Sequence, residues 1–307
     1  MTGAMRNPTE DASLFGAASS LNVLHKACAM IGLDSTDATL IRLGENALYR
    51  LTRPIVVRIA RTMDYFADVC NEVSVAQWLA SENFPAAQVT EHKQPIVVDN
   101  HPVTFWRFIP GRPGNNSDIA ALGKILRRLH DLPKPTSFTL PTENILDRVE
   151  PRITTAAVPF EDKEFLLNRL AELRVEVARL QYPLAPAATH GDAHTENLVM
   201  SDGQPILIDF ERFSWGQPEW DLAMTATEYR TAGWWSQDEY ALFTDSYGYD
   251  VTSWSDGFPV LQAVHELKMT TWLMQNIGES QIIADEFQAR MRTLRTGQRG
   301  QEPWRPF

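Results

Sequence analysis

The sequence predicts an α+β protein in two parts: a small amino-terminal lobe built on an antiparallel sheet, residues 1–109, and a larger, mostly helical lobe, residues 110–307. Three observations lead there. Short runs rich in β-branched and apolar residues crowd the stretch from Thr39 to Ile109, with one helical run among them. Pro110-Gly111-Arg112-Pro113-Gly114 then breaks the chain. Beyond the break, segments with apolar residues at helical spacing dominate.

Taken in order, residues 1 to about 18 are small and polar and read as loosely ordered. Leu21 to Leu33 reads as a helix, with Leu24, Ala27, Cys28 and Ile31 on one face and Gly32 near its end. Thr39–Leu43 and Ala47–Leu51 read as strands around a turn of Gly44, Glu45 and Asn46, and Ile55–Ile59 as a third strand. Phe66–Ala80 is a helix by the spacing of Val69, Val73, Ala76 and Leu79. Gln94–Val98 and Val103–Ile109 are strands separated by the turn Asp99-Asn100.

In the second part, Asp118–His130 carries the stripe Ile119, Leu122, Leu126 and Leu129, with Ser117 or Asp118 as its cap. Glu161–Leu180 is a second long helix. Pro183–Asp209 changes to loops and short apolar strands, Asn197–Met200 and Pro205–Asp209, around the turn Ser201-Asp202-Gly203. From Glu219 onward the chain reads as helical and is rich in tryptophan and tyrosine.

Composition narrows the classes of function. With 44% hydrophobic and 22% charged residues over 307 positions, the chain has material for a large core. A net charge of −11 argues against nucleic acid as a partner and is compatible with a cationic one. Cys28 and Cys70 are too few for a disulfide framework and are expected as buried free thiols. The first residues lack a basic start and a sustained apolar run, and no segment approaches the length of a membrane span. A cytoplasmic location and no membrane partner are therefore expected.

The chemistry concentrates in Thr189-His190-Gly191-Asp192-Ala193-His194-Thr195-Glu196-Asn197, followed after a hairpin by Leu207-Ile208-Asp209-Phe210-Glu211. Phosphoryl transfer from a nucleotide needs a carboxylate to orient a hydroxyl and take its proton, and hard oxygen ligands for magnesium. An aspartate followed five positions later by an asparagine, with a second aspartate ending a nearby hairpin strand, supplies all three. His190 and His194 have the i, i+4 spacing of a zinc helix, but Gly191 argues against a helix and no glutamate follows His190. His194 is read as structural, and zinc is not expected.

These segments resemble the aminoglycoside phosphotransferase and choline-kinase-like family, a branch of the protein-kinase-like fold, over roughly Leu40 to Leu222. His190-Gly191-Asp192-Ala193-His194 with Asn197 is similar to the family's catalytic loop, and Asp209-Phe210-Glu211 to its metal-binding element. Gly216-Gln217-Pro218-Glu219-Trp220-Asp221-Leu222-Ala223 resembles the segment that follows, and Leu122-Gly123-Lys124-Ile125-Leu126-Arg127-Arg128-Leu129-His130 the family's L-G-x-x-L-x-x-L-H helix. The resemblance implies a two-lobed kinase-like fold and an ATP- or GTP-dependent transfer to a hydroxyl of a small-molecule acceptor. It implies Asp192 as the catalytic carboxylate, Asn197 and Asp209 as Mg2+ ligands, and His190 and Asp221 as supports of the loop. On the nucleotide side it implies the turn at Gly44 and Asn46, Arg58 in the place of the usual lysine, Glu72 as its ion-pair partner, and Trp106 and Phe108 in the segment between lobes that meets the adenine.

Plain alternatives stand beside these readings. One glycine makes Gly44 to Asn46 as good a hairpin as a phosphate cradle, and Arg58 with Glu72 could be a solvated pair. In the carboxy-terminal helices, Glu219, Glu228, Asp238, Glu239, Asp245 and Glu266 lie among Trp220, Trp234, Trp235, Trp254 and Trp272. They suit a cationic, ring-bearing acceptor, yet most of these tryptophans are expected in the core. The acceptor stays open between an antibiotic-like compound and a metabolic sugar, amino alcohol or choline. A kinase-like binding or regulatory protein without turnover is the alternative class. A protein kinase is disfavoured, because no A-P-E-type segment follows Asp209.

Overall fold

Alternating apolar and polar residues after Thr39 fold into a five-stranded antiparallel sheet in the order β1-β2-β3-β5-β4. Its strands are β1 (Thr39–Leu43), β2 (Asn46–Arg50), β3 (Ile55–Ala60), β4 (Ile96–Val98) and β5 (His101–Arg107). This computed structural model describes residues 15–44 and 46–307. Residues 1–14, most of the stretch expected to be loosely ordered, and Glu45 of the first turn lie outside the described residues.

Tight turns set the register. Asp99 and Asn100 both adopt positive φ, at 47° and 67°, as a two-residue hairpin whose twist matches its strands requires, and they join β4 to β5. Helix α1 (Ala17–Ile31) covers one face of the sheet, and Leu24, Ala27 and Cys28 pack with Tyr49, Val57, Ile59 and Phe105. It begins four residues before the predicted Leu21. Gly16 and Ser19 close its first turn, and Ser20 Oγ reaches Tyr49 Oη at 2.8 Å. Helix α2 (Phe66–Ser81) carries Val69, Glu72, Val73 and Ala76 on its buried side. Cys70 on this helix is half-buried, a correction to the expectation that both thiols are buried.

The chain divides into two compact units, one of Met1–Pro113, Pro135–Thr139 and Leu198–Phe213, the other of Gly114–Lys134, Leu140–Asn197 and Ser214–Phe307. The hairpin β8 (Leu198–Ser201) and β9 (Gln204–Leu207) therefore belongs with the sheet-bearing unit, where the short β6 (Arg112–Pro113) pairs with β8. Ala87 N donates to Leu207 O and Leu207 N to Pro85 O, both at 2.9 Å.

The second unit is helical: α3 (Ile119–His130), α4 (Val149–Thr155), α5 (Phe160–Ala178), α6 (Pro218–Thr227), α7 (Gln237–Tyr247), α8 (Phe258–Leu273) and α9 (Gln281–Thr296). Its core gathers Val149, Ile153, Leu166, Leu170, Leu173, Val264, Leu267, Phe287 and Met291. Helices α3 and α7 meet at Gly123, where an added Cβ would lie 2.6 Å from Phe243 O; no other residue type permits that approach. One two-stranded ladder crosses this unit, β7 (Ala187–Thr189) against β10 (Ser214–Gly216).

Candidate active site

In the sheet-bearing unit, period-two alternation along β3 places Arg58 on the face shared with α2. Its guanidinium is mostly enclosed (16% side-chain exposure), and the facing Glu72 is almost fully so (1%). Nη1 donates to both Glu72 carboxylate oxygens, at 2.8 and 2.7 Å. Glu211 Oε2 lies 3.5 Å from Nη2. With its amide oxygen turned toward the arginine, Asn46 accepts from Nε at 3.2 Å and Nη2 at 2.8 Å.

Asp209 follows β9 with φ of 64°, in the left-handed region that aspartate and asparagine tolerate. Phe210 anchors the turn: it is 1% exposed and its ring meets Trp106 at 6.1 Å and Phe213 at 5.4 Å. With Phe210 buried between them, carboxylate oxygens of Asp209 and Glu211 come within 4.8 Å of each other and of Glu72. Three carboxylates against one guanidinium leave a formal surplus of two negative charges when all are ionised. Burial works against the charge on Arg58, but Glu72, Asp209 and Glu211 outweigh it and hold its pKa above the ordinary value. Burial, reinforced by Asp209 and Glu211, pushes the Glu72 carboxyl upward against the pull of Arg58.

The other nucleotide-side residues are placed as follows. Gly44 N donates to Asn46 O at 3.0 Å, and Gly44 O accepts from Arg61 Nη2 at 3.0 Å. An added Cβ at Gly44 meets nothing within 4 Å, so this turn does not require glycine for space. Trp106 is half-buried and its Nε1 donates to Thr104 Oγ1 at 2.9 Å. The Phe108 ring lies under the Arg50 guanidinium at 3.9 Å. Arg107 N donates to Gln88 O and Phe108 N to Pro54 O, each at 2.8 Å, so these two backbone donors are already committed.

In the helical unit, the loop from His190 to Asn197 leaves β7 through Gly191, whose φ of 79° favours glycine. That turn aims two successive N–H groups at one carboxylate: His190 N donates to Asp221 Oδ2 and Gly191 N to Asp221 Oδ1, both at 2.8 Å. Asp221 is 1% exposed in the first turn of α6, where the helix dipole favours an anion. His130 Nε2 stands 3.0 Å from Oδ2, and His130 Nδ1 is 2.9 Å from Tyr247 Oη. Burial opposes ionisation of Asp221, yet His130, His190 and the backbone donors prevail and lower its pKa. The β7–β10 ladder beneath the loop is pinned by Glu143, which accepts from Ser214 Oγ and, at 3.3 Å, from Thr189 Oγ1.

Asp192 itself is half open, at 51% side-chain exposure. The surrounding protein mass disfavours its charge, but His194, His190 and Lys268 outweigh this and hold the carboxyl well below the usual carboxylate range. His194 is shifted upward: partial burial lowers it, while Asp192, Glu228 and Glu196 raise it further. Its Nε2 lies 3.6 Å from Asp192 Oδ2 and 3.0 Å from Asn197 Nδ2. Asn197 Nδ2 also donates to Asp192 O at 2.9 Å.

The profile of the phosphotransferase enzyme family matches residues 38–255, more than half of the chain and a span that includes Arg58, Glu72, Asp192, Asn197, Asp209 and Asp221. The chain belongs to this phosphotransferase enzyme family. Solved structures share its fold. Amicoumacin kinase hAmiN in complex with AMP-PNP, Ca2+ and Ami superposes with a TM-score of 0.75 at 16% identity, covering 95% of this chain and 97% of the other. The GDP and kanamycin complex of APH(2")-IIia gives 0.66 at 12%, covering 91% and 99%. Choline kinase LicA from Streptococcus pneumoniae gives 0.65 at 14%, covering 91% and 100%. No curated protein sequence matches the chain.

Within this phosphotransferase, the sheet-bearing unit brings together Arg58, Glu72, Asn46 and Asp209, and the helical unit brings together His190, Asp192, Asn197 and Asp221. Sequence reasoning gave no role to His130, Glu143 or Glu211, although His130 and Glu211 end quoted motifs; no local signal marks Glu143. Of the carboxy-terminal acids, Glu266 is buried and paired with Arg299 at 2.6 Å, and Glu219 is buried with Oε1 accepting from Leu184 N at 2.7 Å. Glu228 is buried, accepts from Trp235 Nε1 at 2.8 Å, and is pushed up to about 7 chiefly by burial. The expectation that most of the five tryptophans lie in the core is not met: only Trp235 is buried, Trp220, Trp234 and Trp254 are half-buried, and Trp272 is 40% exposed.

Proposed function

We propose that this phosphotransferase transfers the γ-phosphoryl group of ATP or GTP to a hydroxyl of a small molecule. Asp192 orients the hydroxyl and accepts its proton; Asn197 and Asp209 are oxygen ligands for Mg2+. The observation that carries the reading is the setting of Asp192: a solvent-accessible carboxylate, its pKa held below the usual carboxylate range beside His194, His190 and Lys268, on a loop whose backbone is tied to a buried aspartate. An ionised, fixed carboxylate is what in-line transfer to a hydroxyl needs.

The donor set suits a hard divalent cation. Asp209 lies among carboxylates with negative charge in excess, and Asn197 offers an amide oxygen. Such an ion, when bound, neutralises charge on the phosphate oxygens. In this reading residues 1–109 serve the nucleotide and residues 110–307 the acceptor. Arg58 pairs with phosphate, held by Glu72 and Asn46, and Gly44 lies in the turn over the phosphates. Trp106 and Phe108 flank the base through backbone groups other than the two committed N–H donors. His190 and Asp221 brace the loop.

The acceptor is a small hydroxyl compound, either a cationic antibiotic-like one or a metabolic sugar or amino alcohol. The negative charge of Asp192 and Glu196 near His194 supports a cation, as does the overall charge of −11. Nucleic acid and membrane are not partners in this reading, and the location is cytoplasmic. Asp192→Ala tests it: single-turnover kinetics should show kcat reduced about 10²–10⁴-fold, with nucleotide binding retained. A variant with ordinary kcat refutes the assignment. Nucleotide binding with no turnover of any hydroxyl compound in the wild type would favour the regulatory alternative.

A further inference from the structure

Within the loop of the helical unit, one atom touches both groups to which the proposed function gives chemistry. His194 Nε2 lies 3.0 Å from Asn197 Nδ2 and 3.6 Å from Asp192 Oδ2. Asn197 Nδ2 also donates to the Asp192 backbone oxygen at 2.9 Å. A primary amide has two hydrogens on nitrogen and none on oxygen. With both hydrogens directed at Asp192 O and His194 Nε2, the planar amide sends Oδ1 along its other branch, away from the loop backbone. The flipped amide would set a lone pair against the Asp192 carbonyl and present N–H groups where a cation needs oxygen.

The backbone holds imidazole and amide together. Asn197 N donates to His194 O at 3.0 Å, closing the single turn that carries both side chains, and Asn197 is only 7% exposed. The contact needs a bare Nε2, which accepts from Asn197 Nδ2; a protonated Nε2 would set one N–H against another at 3.0 Å.

We propose that His194 is a positioning residue whose bare Nε2, by accepting from Asn197 Nδ2, fixes the Asn197 amide with Oδ1 presented as an oxygen ligand for a divalent cation. This rests on the metal-dependent transfer proposed above. It replaces the expectation that His194 is only structural.

The test compares His194→Leu, which fills similar space without an acceptor, with His194→Gln, whose amide oxygen reaches about as far as Nε2. Mn2+ affinity is read by electron paramagnetic resonance titration with a non-hydrolysable ATP analogue, at one pH, after thermal unfolding shows that each variant is folded. Groups that orient a ligand typically contribute 10–100-fold in metal affinity. His194→Leu should weaken Mn2+ binding by about that factor, and His194→Gln should retain most of it. In turnover, His194→Leu should lower kcat while leaving the acceptor KM in place.

The decisive arm is Asn197→Asp. A carboxylate has no wrong end, so His194→Leu should cost little further Mn2+ affinity in that background. The proposal is overturned if His194→Leu binds Mn2+ like the wild type, if the leucine and glutamine variants lose equally, or if the cost persists beside Asn197→Asp. Asp209→Asn separates the levels. If it too keeps full Mn2+ affinity, the metal reading fails and this proposal with it. If it loses Mn2+ while His194→Leu does not, only the role of His194 fails.

Discussion

In the sheet-bearing unit, charge is organised around a side chain: Arg58 holds Glu72 at 2.7 Å, Glu211 at 3.5 Å and the Asn46 amide at 2.8 Å. In the helical unit, charge is organised around backbone: Asp221 gathers the N–H groups of His190 and Gly191 at 2.8 Å and is itself held by His130. The first arrangement has negative charge in excess and side chains that can exchange partners. The second spends its carboxylate on fixing a loop. A ligand should therefore rearrange the first region, while substitutions in the second should act on geometry and stability.

The largest effect expected is on the side-chain cluster. Asp209→Asn keeps a residue that tolerates φ of 64°, so the turn should survive. Losing one formal charge from the proposed metal ligand should reduce kcat by more than about a hundredfold, since a bound ion stabilises charge by several kcal/mol. Activity assays with circular dichroism as the folding control check this. Near-normal turnover of Asp209→Asn, or of the wild type in EDTA, would remove the metal from the reading.

Asp221 should break differently. Asp221→Ala strips two backbone donors and His130 of their shared acceptor in a site that is 1% exposed. Removing one member of such a buried network costs about 3–5 kcal/mol, measurable by urea unfolding. The sign with pH follows from a depressed carboxyl. Its stabilisation is present above the unfolded-state pKa of a carboxylate, about 3.9, and is lost as pH falls through the lower folded value. The wild type should therefore lose stability on acidification more steeply than Asp221→Ala.

Both regions were partly legible in the sequence, for different reasons. Asp192, Asn197 and Asp209 stand at intervals imposed by a loop and a hairpin, and local geometry is what sequence records best. The turns at Asp99-Asn100 and Asp202-Gly203 were readable because only certain residues accept positive φ. Contacts between distant segments left less trace. Glu143 sits in a loop and reaches Ser214 and Thr189, 71 and 46 positions away. Tyr247 meets His130 across 117 positions. Helix α4, unpredicted, contains Pro151 and a β-branched run from Ile153 to Thr155. Its propensity is poor, and burial of Val149 at 1% and Ile153 at 0% imposes the helix instead.

Arg58 sharpens the comparison at intermediate magnitude. If the side-chain cluster serves the nucleotide, Arg58→Ala should raise the nucleotide KM by about 10–100-fold, the 1.5–3 kcal/mol of a hydrogen bond to a charged group, with little change in the acceptor KM. Arg58→Lys should recover only part of this, because a compact ammonium lacks the planar fork that reaches Glu72 through Nη1 and Asn46 through Nε and Nη2. A larger effect on the acceptor KM would move Arg58 out of the nucleotide site. Equal small effects would mark the enclosed Arg58–Glu72 pair as a support of the sheet and not of the nucleotide.

The smallest effect concerns two buried glutamates, one in each unit, both pushed upward by burial. Glu72 carries a cation, since Arg58 donates to both its oxygens. Among the described residues the hydrogen bond of Glu228 comes from a neutral group, Trp235 Nε1 at 2.8 Å. Glu72→Gln should therefore destabilise at neutral pH, because it leaves a guanidinium enclosed beside a neutral amide. For Glu228, the folded value of about 7 lies above the ordinary glutamate value. A raised carboxyl contributes stability below the unfolded-state value, near 4.3, and loses it as pH rises toward the folded one. Glu228→Gln removes that titration while its amide oxygen can still accept from Trp235. Urea unfolding from pH 5 to pH 8 should show the wild type losing about 1–3 kcal/mol relative to Glu228→Gln, with the variant equal or more stable at the alkaline end. Parallel curves would mean that Glu228 is ionised throughout, and the two glutamates would then differ in partner but not in state.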